Sequence, residues 1–262
     1  MFGASHQLSL EAVIAELRSK GSEESRAGMA RFGIQTVKAF GVSIPTLRAI
    51  ARRLGKDHGL AIGLWRSGIH EARLLASMVE DPERLTPGQM DAWASEFDSW
   101  DVCDNCCGGL FDKTPVAYEK ALEWSGNERE FVKRAGFSLM AALAVHDRDA
   151  EDSKFVRFFA AIERGSVDER NFVKKAVNWA LRQIGKRNAE LNARCLEVAR
   201  RIHQNGTGAG RWIASDAIRE LESEAVTSRL KRPSGARASR GGRYQRYTKG
   251  RSGRRLPARS SS

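Results

Sequence analysis

The sequence predicts an all-α protein whose paired helices stack into a curved solenoid. Apolar residues recur three and four positions apart along most of the chain, as at Ala72, Leu75 and Val79, which is the period of a helix face. Short runs that alternate apolar and polar residues, which would predict strands, are missing. Similar helical segments also recur about 40 residues apart, as in stacked repeats.

The repeats are defined by three segments in which basic residues precede small and apolar ones. The segments VKRAGFSLMAALAVHD, VKKAVNWALRQIGKRN and GRWIASDAIRELES start near positions 132, 173 and 210. Another helical pattern separates each from the next, and a less regular copy surrounds position 70. A helix pair of about 40 residues is typical of HEAT-like arrays, whose concave face binds ligands. We therefore expect ligands at the first residues of each second helix.

The positive charge is concentrated at the C-terminal end. Residues 231–262 contain eleven Lys or Arg and no acid, so the first 230 residues carry only 12 − 11 = +1. The Arg, Gly and Ser composition of that end predicts a disordered tail, because it contains too few apolar residues to form a core. Arginines spaced around Tyr244 and Tyr247 suit phosphates and base stacking, although a purely solubilising tail is the alternative. We divide the chain into a domain at 1–230 and a tail at 231–262.

The sequence favours a cytoplasmic, nucleoid-associated protein with no membrane partner. No apolar run approaches the roughly 18 residues that a membrane helix needs. The N-terminal stretch MFGASHQLSLEAVIAELRSKG turns acidic before the apolar centre of a signal peptide develops.

Three of the four cysteines crowd together at Cys103, Cys106 and Cys107. The first two have the spacing of half a zinc site, but a second such pair is missing from the sequence. A reducing cytosol would keep them as thiols. We therefore expect them to pack between helices, and we expect neither a metal nor a cofactor.

The stretch FDSWDVCDNCC combines a tryptophan with acidic residues at helical spacing. Trp100 and Asp104 are four positions apart, and Asp101 and Asp104 are three apart, so all three can share one face. A buried ionised carboxylate costs several kcal/mol unless it is paired. Asp98 suits the N-cap of this helix. For Asp104, a functional role and a structural salt bridge both stay open.

Basic residues recur at matching points of the later repeats. Lys175 and Arg182 flank Trp179 at i−4 and i+3, and Arg134 and Arg211 occupy equivalent positions of other repeats. Their recurrence favours a basic stripe that follows a phosphate backbone. The alternatives are that each arginine ties one repeat to the next through an acid, and that Trp179 belongs to the core.

Three segments together resemble a known family. RFGIQTVKAFGVSIPTLRAIAR, WDVCD and KKAVNWALRQ are similar to segments of the DNA alkylation repair family of AlkD-like, HEAT-like-repeat DNA glycosylases, and the likeness runs from about residue 10 to 228. The resemblance implies that Trp100, Asp104 and Trp179 line the catalytic site that faces the damaged nucleotide. It also implies that Arg134 holds the DNA backbone near the lesion. The cysteine-rich context of Asp104 departs from the family.

The resemblance implies a glycosylase that acts on double-stranded DNA containing alkylated bases, and we expect the protein to be a monomer. The reaction would hydrolyse the N-glycosidic bond of a cationic N3- or N7-alkylated purine. Whether the base leaves its stack or the enzyme contacts only the sugar and backbone stays open. The other functions that we consider are non-catalytic recognition of branched or distorted DNA and a scaffold for proteins. The expected DNA contacts are Lys38, Arg134, Lys175, Arg182 and Arg211.

Overall fold

The computed structural model describes residues 9–231, except for the side chain of Asn205, and every regular element in that range is a helix. The helices are α1 Leu10–Ser19, α2 Glu23–Ala30, α3 Ile44–Leu54, α4 His58–Arg66, α5 His70–Val79, α6 Pro87–Ser95, α7 Trp100–Gly109, a 3₁₀ turn Phe111–Lys113, α8 Ala117–Ser125, α9 Glu130–His146, α10 Asp152–Val156, α11 Phe159–Gly165, α12 Asn171–Gly185, α13 Ala189–Asn205, α14 Gly208–Leu221 and α15 Glu224–Leu230.

Successive helix pairs stack along the chain. Helices α5, α7, α9, α12 and α14 each contact the next and form what we call the central row. A second row covers it, with α4 on α5, α8 on α9, α11 on α12 and α13 on α14. The predicted all-α solenoid of repeats is confirmed. The repeat length differs from the prediction in the first half, because α5, α7 and α9 start at 70, 100 and 130.

Local signals in the sequence determine where many of these helices begin. The side chains of Ser9, Ser43 and Asp57 each accept a hydrogen bond from a backbone N–H in the first turn of the helix that follows, which satisfies a donor that the helix itself leaves unpaired. Proline occupies the first turn of α3 and α6, where its missing N–H does no harm.

Apolar side chains fill the space between the two rows. Phe111, Phe137 and Phe158 are fully buried, and burying such a side chain stabilises the fold by about 1.5 to 3 kcal/mol. The rings of Trp65 and Trp93 stack at 4.1 Å between centroids and join neighbouring pairs.

Buried polar contacts set the register between central-row helices. His70 Nε2 lies 2.8 Å from Asp101 Oδ2, which links α5 to α7. Cys103 Sγ lies 3.7 Å from the carbonyl oxygen of Phe131, which links α7 to α9. Because each contact joins residues near the starts of two helices, the first turns of α5, α7 and α9 lie side by side.

The cysteines lie where the sequence analysis expected them. Cys103, Cys106 and Cys107 are fully buried in the core, as is Cys195. Burial raises the pKa of both Cys106 and Cys107 well above the ordinary thiol value, which disfavours the reactive thiolate. The prediction that these thiols pack between helices is confirmed. Within residues 9–231, His, Cys, Asp and Glu form no group of three or more that could hold a metal ion.

The N-cap assigned to Asp98 is wrong. Helix α7 begins at Trp100, and its N-cap is Ser99. The hydroxyl of Ser99 donates to Asp101 Oδ1 instead of accepting from the first turn. Asp98 is half-exposed and lies 3.6 Å from Arg73 Nη1.

Two further sequence predictions concern membrane-spanning helices and the C-terminal end of the chain. No helix among residues 9–231 is long and apolar enough to cross a membrane. The predicted disordered tail lies, apart from Lys231, outside the described residues, and the domain boundary at residue 230 stays a prediction.

Candidate functional site

The carboxylate of Asp104 is held by two residues of the neighbouring helix α9. Arg134 donates from Nε to Oδ1 at 3.0 Å and from Nη2 to Oδ2 at 2.7 Å. The hydroxyl of Ser138, one turn further along α9, donates to Oδ1 at 2.7 Å. This bidentate pairing fixes the plane of the carboxylate.

Arg134 belongs to the interior of the protein. It is 6% exposed, and its Nη1 donates to the carbonyl oxygen of Phe172 on α12 at 2.7 Å. Burial lowers the pKa of Arg134, but the charge of Asp104 raises it, and the net direction is upward. The predicted contact of Arg134 with the DNA backbone therefore needs correction, because its guanidinium is directed at Asp104 and Phe172 and not at solvent.

Asp104 retains some capacity for a further contact. Its side chain is 13% exposed. Of the roughly four lone-pair positions of a carboxylate, Arg134 and Ser138 use two on Oδ1 and one on Oδ2. Oδ2 can therefore accept one more hydrogen bond, for example from a water molecule. The neighbouring guanidinium makes the ion pair neutral as a whole.

The two acids of α7 contact opposite neighbours. Asp101 bonds to His70 on α5, whereas Asp104 bonds to Arg134 on α9. The prediction that Trp100, Asp101 and Asp104 act from one face is therefore wrong for Asp101. Burial lowers the pKa of His70, while Asp101 and more weakly Glu71 and Asp98 raise it, and the net direction is upward.

The two tryptophans lie on different helices of the central row, and both are partly exposed. Trp100 is the first residue of α7, and its Nε1 donates to the carbonyl oxygen of Phe32 at 3.0 Å. Trp179 packs against the core from α12. It lies seven residues beyond Phe172, which is about 10 Å along a helix axis. Trp179 thus contributes to the core and retains an accessible surface.

Comparison with known proteins identifies the family. The family described as DNA alkylation repair enzyme matches residues 13–221, well over half of the chain. The chain belongs to this family. A solved structure with a TM-score of 0.69 and 20% identity covers 81% of this chain and 95% of its own. Its protein is described as one of "a new family of proteins related to the HEAT-like repeat DNA glycosylases with affinity for branched DNA structures". At that identity the likeness shows the fold. No curated protein matches the sequence.

The other basic residues that were predicted to bind DNA fall into two groups in this member of the DNA alkylation repair family. Lys38, Lys175 and Arg211 are exposed. Arg182 is instead 5% exposed, and its Nη1 pairs with Glu220 and with Asp216 at 3.4 Å on α14. The predicted DNA contact of Arg182 therefore needs correction, because this arginine ties α12 to α14.

Three features of this site were not predicted from the sequence. Ser138 lies four positions after Arg134, so helical spacing could have indicated that both face α7. Phe172 contacts the site through its carbonyl oxygen, for which a side-chain pattern gives no signal. The segment 31–38 brings Phe32 to Trp100, which lies 68 positions later in the sequence, and only a tertiary contact reveals this.

Proposed function

We propose that the protein is a DNA glycosylase that releases cationic N3- or N7-alkylated purines from duplex DNA. The observation that carries the proposal is the oriented carboxylate of Asp104, with spare acceptor capacity on Oδ2, on a helix that begins with the partly exposed Trp100. Membership of the DNA alkylation repair enzyme family supports this assignment.

The chemistry requires little of the protein at the leaving group. Alkylation at N3 or N7 makes the purine cationic, so the C1′–N bond can break with both electrons passing to the base. The base then leaves neutral without being protonated. The sugar becomes an oxocarbenium-like cation, as in glycoside hydrolysis. Stabilising that cation is the main task of the site.

Two aromatic faces and one carboxylate suit such a cation. An aromatic face attracts a cation by about 0.5 to 2 kcal/mol, and Trp100 and Trp179 offer two such faces. Asp104 adds negative charge, and its Oδ2 can orient a water molecule toward C1′. The water oxygen bonds to C1′ and its proton passes through Asp104 to solvent, which leaves an abasic sugar. One carboxylate suffices because the leaving base needs no acid.

DNA binding on this account uses the exposed cations near the starts of the central-row helices. Lys175 lies one turn before Trp179 on α12, and Arg211 lies at the start of α14. Lysine and arginine at such positions bind phosphates, and counterion release drives that binding.

A second candidate function is recognition of branched DNA without chemistry. The observation that favours it is the bidentate bond from Arg134, which neutralises the charge that Asp104 would offer to an oxocarbenium ion. The affinity for branched DNA that is described for the protein of the similar structure is in line with this candidate.

Two assays on the full chain separate these functions. The first chromatographs the bases released from duplex DNA methylated to carry 7-methylguanine and 3-methyladenine. The second compares binding to a four-way junction and to a linear duplex of equal length. Release of methylated bases supports the glycosylase. A preference for the junction without any release supports the second candidate, and absence of both results contradicts the two together.

A further inference from the structure

The segment 31–38, between α2 and α3, crosses to the candidate site. The carbonyl oxygen of Phe32 accepts a hydrogen bond from Trp100 Nε1 at 3.0 Å. Gly33 has a φ of 72°, and a Cβ at this position would lie 3.0 Å from Phe172 Cζ. The segment therefore contacts the first turns of both α7, which carries Asp104, and α12, where the carbonyl oxygen of Phe172 accepts a hydrogen bond from Arg134.

The same segment presents apolar side chains to solvent. Among residues 9–231, the large apolar side chains that are exposed are Phe32, Val37, Val145, Val167 and Trp212. Two of these five lie on this eight-residue segment, where Phe32 is 53% and Val37 is 87% exposed. About half of the Phe32 surface is accessible, so a partner that covers the ring would gain the free energy of burying that apolar half.

The charges around Phe32 indicate which kind of partner covers it. Arg31 and Lys38 bracket the apolar residues, and both are exposed. Two cations beside an exposed aromatic ring favour a polyanion over a second copy of the chain, whose own Arg31 and Lys38 would repel them. DNA-kinking proteins insert apolar side chains, phenylalanine and leucine among them, between base pairs.

We propose that Phe32 inserts between base pairs next to the nucleotide that lies at Trp100, while Arg31 and Lys38 contact the flanking phosphates. The inference rests on the DNA binding of the proposed function. The backbone carbonyl of Phe32 accepts the hydrogen bond from Trp100. This bond positions the phenylalanine ring without involving the ring itself. Replacing the ring therefore leaves that bond in place.

The test uses the full chain and a duplex that contains a tetrahydrofuran abasic analogue next to 2-aminopurine, whose fluorescence rises when it unstacks. Wild-type protein is expected to raise the fluorescence on binding. Phe32→Ala should abolish the rise and weaken binding about 10-fold, since stacking on one base is worth about 1 to 3 kcal/mol. Phe32→Leu should restore most of the rise. Val37→Ala, at the more exposed neighbour, should stay within about twofold of wild type.

The possible outcomes separate this inference from the proposed function. Equal fluorescence and affinity for wild type and Phe32→Ala would overturn the insertion of Phe32 while DNA binding stands. Failure of the wild type to bind the duplex would overturn the proposed function and the inference with it. If Phe32→Ala instead lowers the sedimentation mass of the free protein, Phe32 contacts a second copy and the inference is wrong.

Discussion

Arg134 and Asp104 form a two-point ion pair that joins α9 to α7, with donor–acceptor distances of 3.0 and 2.7 Å. The side chains of Arg134 and Asp104 are 7% and 13% exposed. Removing one member of a buried ion pair leaves the other charge unpaired in a poorly hydrated place. The carboxylate to which we assign the chemistry is thus also part of a buried ion pair, and experiments have to separate the two roles.

Asp104→Asn should destabilise the domain, contrary to what an exposed catalytic aspartate would show. The variant leaves the Arg134 guanidinium without its anion, and we expect a loss of about 3 to 5 kcal/mol in the free energy of unfolding. Asp104→Asn combined with Arg134→Gln should recover part of that loss, because no charge is then buried. Urea denaturation measures both variants. A single variant as stable as wild type would show that the pair contributes nothing to folding.

The same substitution at two basic residues of α12 should affect DNA binding in one case and stability in the other. Lys175→Gln removes an exposed cation, so DNA binding should weaken and the slope of log affinity against log salt should fall by about 1. Arg182→Gln removes a buried partner of Glu220 and Asp216, so stability should fall while the salt slope stays unchanged. DNA titrations at several salt concentrations measure the slopes. A reduced slope for Arg182→Gln would restore its predicted DNA contact.

The His70–Asp101 contact should make stability depend on pH. Because the pKa of His70 is raised in the folded protein, its protonation stabilises the fold below the pKa of the unfolded chain. That contribution is lost as the pH rises through the folded value. The stability lost in His70→Gln should therefore be larger at about pH 5.5 than at about pH 8.

Urea denaturation at both pH values measures this effect. His203→Gln, at an exposed histidine, controls for the loss of an imidazole. A loss for His70→Gln that grows with rising pH, relative to the His203→Gln control, would contradict the direction stated for His70.

Two glycines near the N-terminal end offer a matched comparison. Gly33→Ala places a Cβ 3.0 Å from Phe172 at a φ of 72°, and the left-handed conformation alone should cost about 1 to 2 kcal/mol. Gly28→Ala, inside α2 with no atom within 4 Å of the new Cβ, should stabilise by about 0.5 to 1 kcal/mol. Denaturant midpoints compare the two variants. Equal effects would show that the segment 31–38 tolerates displacement from Phe172.

The C-terminal segment 231–262 should add affinity for DNA without adding specificity. Its eleven Lys or Arg and absence of acids suit contacts that release counterions. Deleting it should weaken binding uniformly across DNA sequences and flatten the salt dependence. The measurement is the affinity for several duplexes at two salt concentrations. An unchanged salt slope would limit the segment to a role in solubility.

The helical periodicity was enough to predict the fold, because each helix keeps its own apolar face whatever its neighbours are. The repeat that contains α7 escaped the pattern. It starts with Trp100 and Asp101 instead of basic residues, and it follows α5 after only 30 positions. Its role in the central row becomes evident only from its contacts with α5 and α9.

The site was predictable only in part, because its pairing depends on how helices are rotated against one another. Helical spacing places Trp100 and Asp104 one turn apart on α7. It carries no information on whether Asp104 faces solvent or Arg134, which lies 30 positions away. Recurrence of Arg134 and Arg211 at matching repeat positions suited a DNA-binding stripe and ties between repeats equally well. Burial favours the tie for Arg134, whereas Arg211 is exposed.

The most direct test of the glycosylase mechanism compares base release by three proteins on duplex DNA that carries 7-methylguanine. These are the wild type, Arg134→Gln, which keeps the carboxylate, and the double variant Asp104→Asn with Arg134→Gln, which lacks it without burying an unpaired charge. We measure the single-turnover rate after confirming that each variant is folded and binds DNA. We expect release by the wild type and by Arg134→Gln, and none by the double variant. Release by the double variant at the rate of Arg134→Gln, or no release by the wild type, would contradict the mechanism.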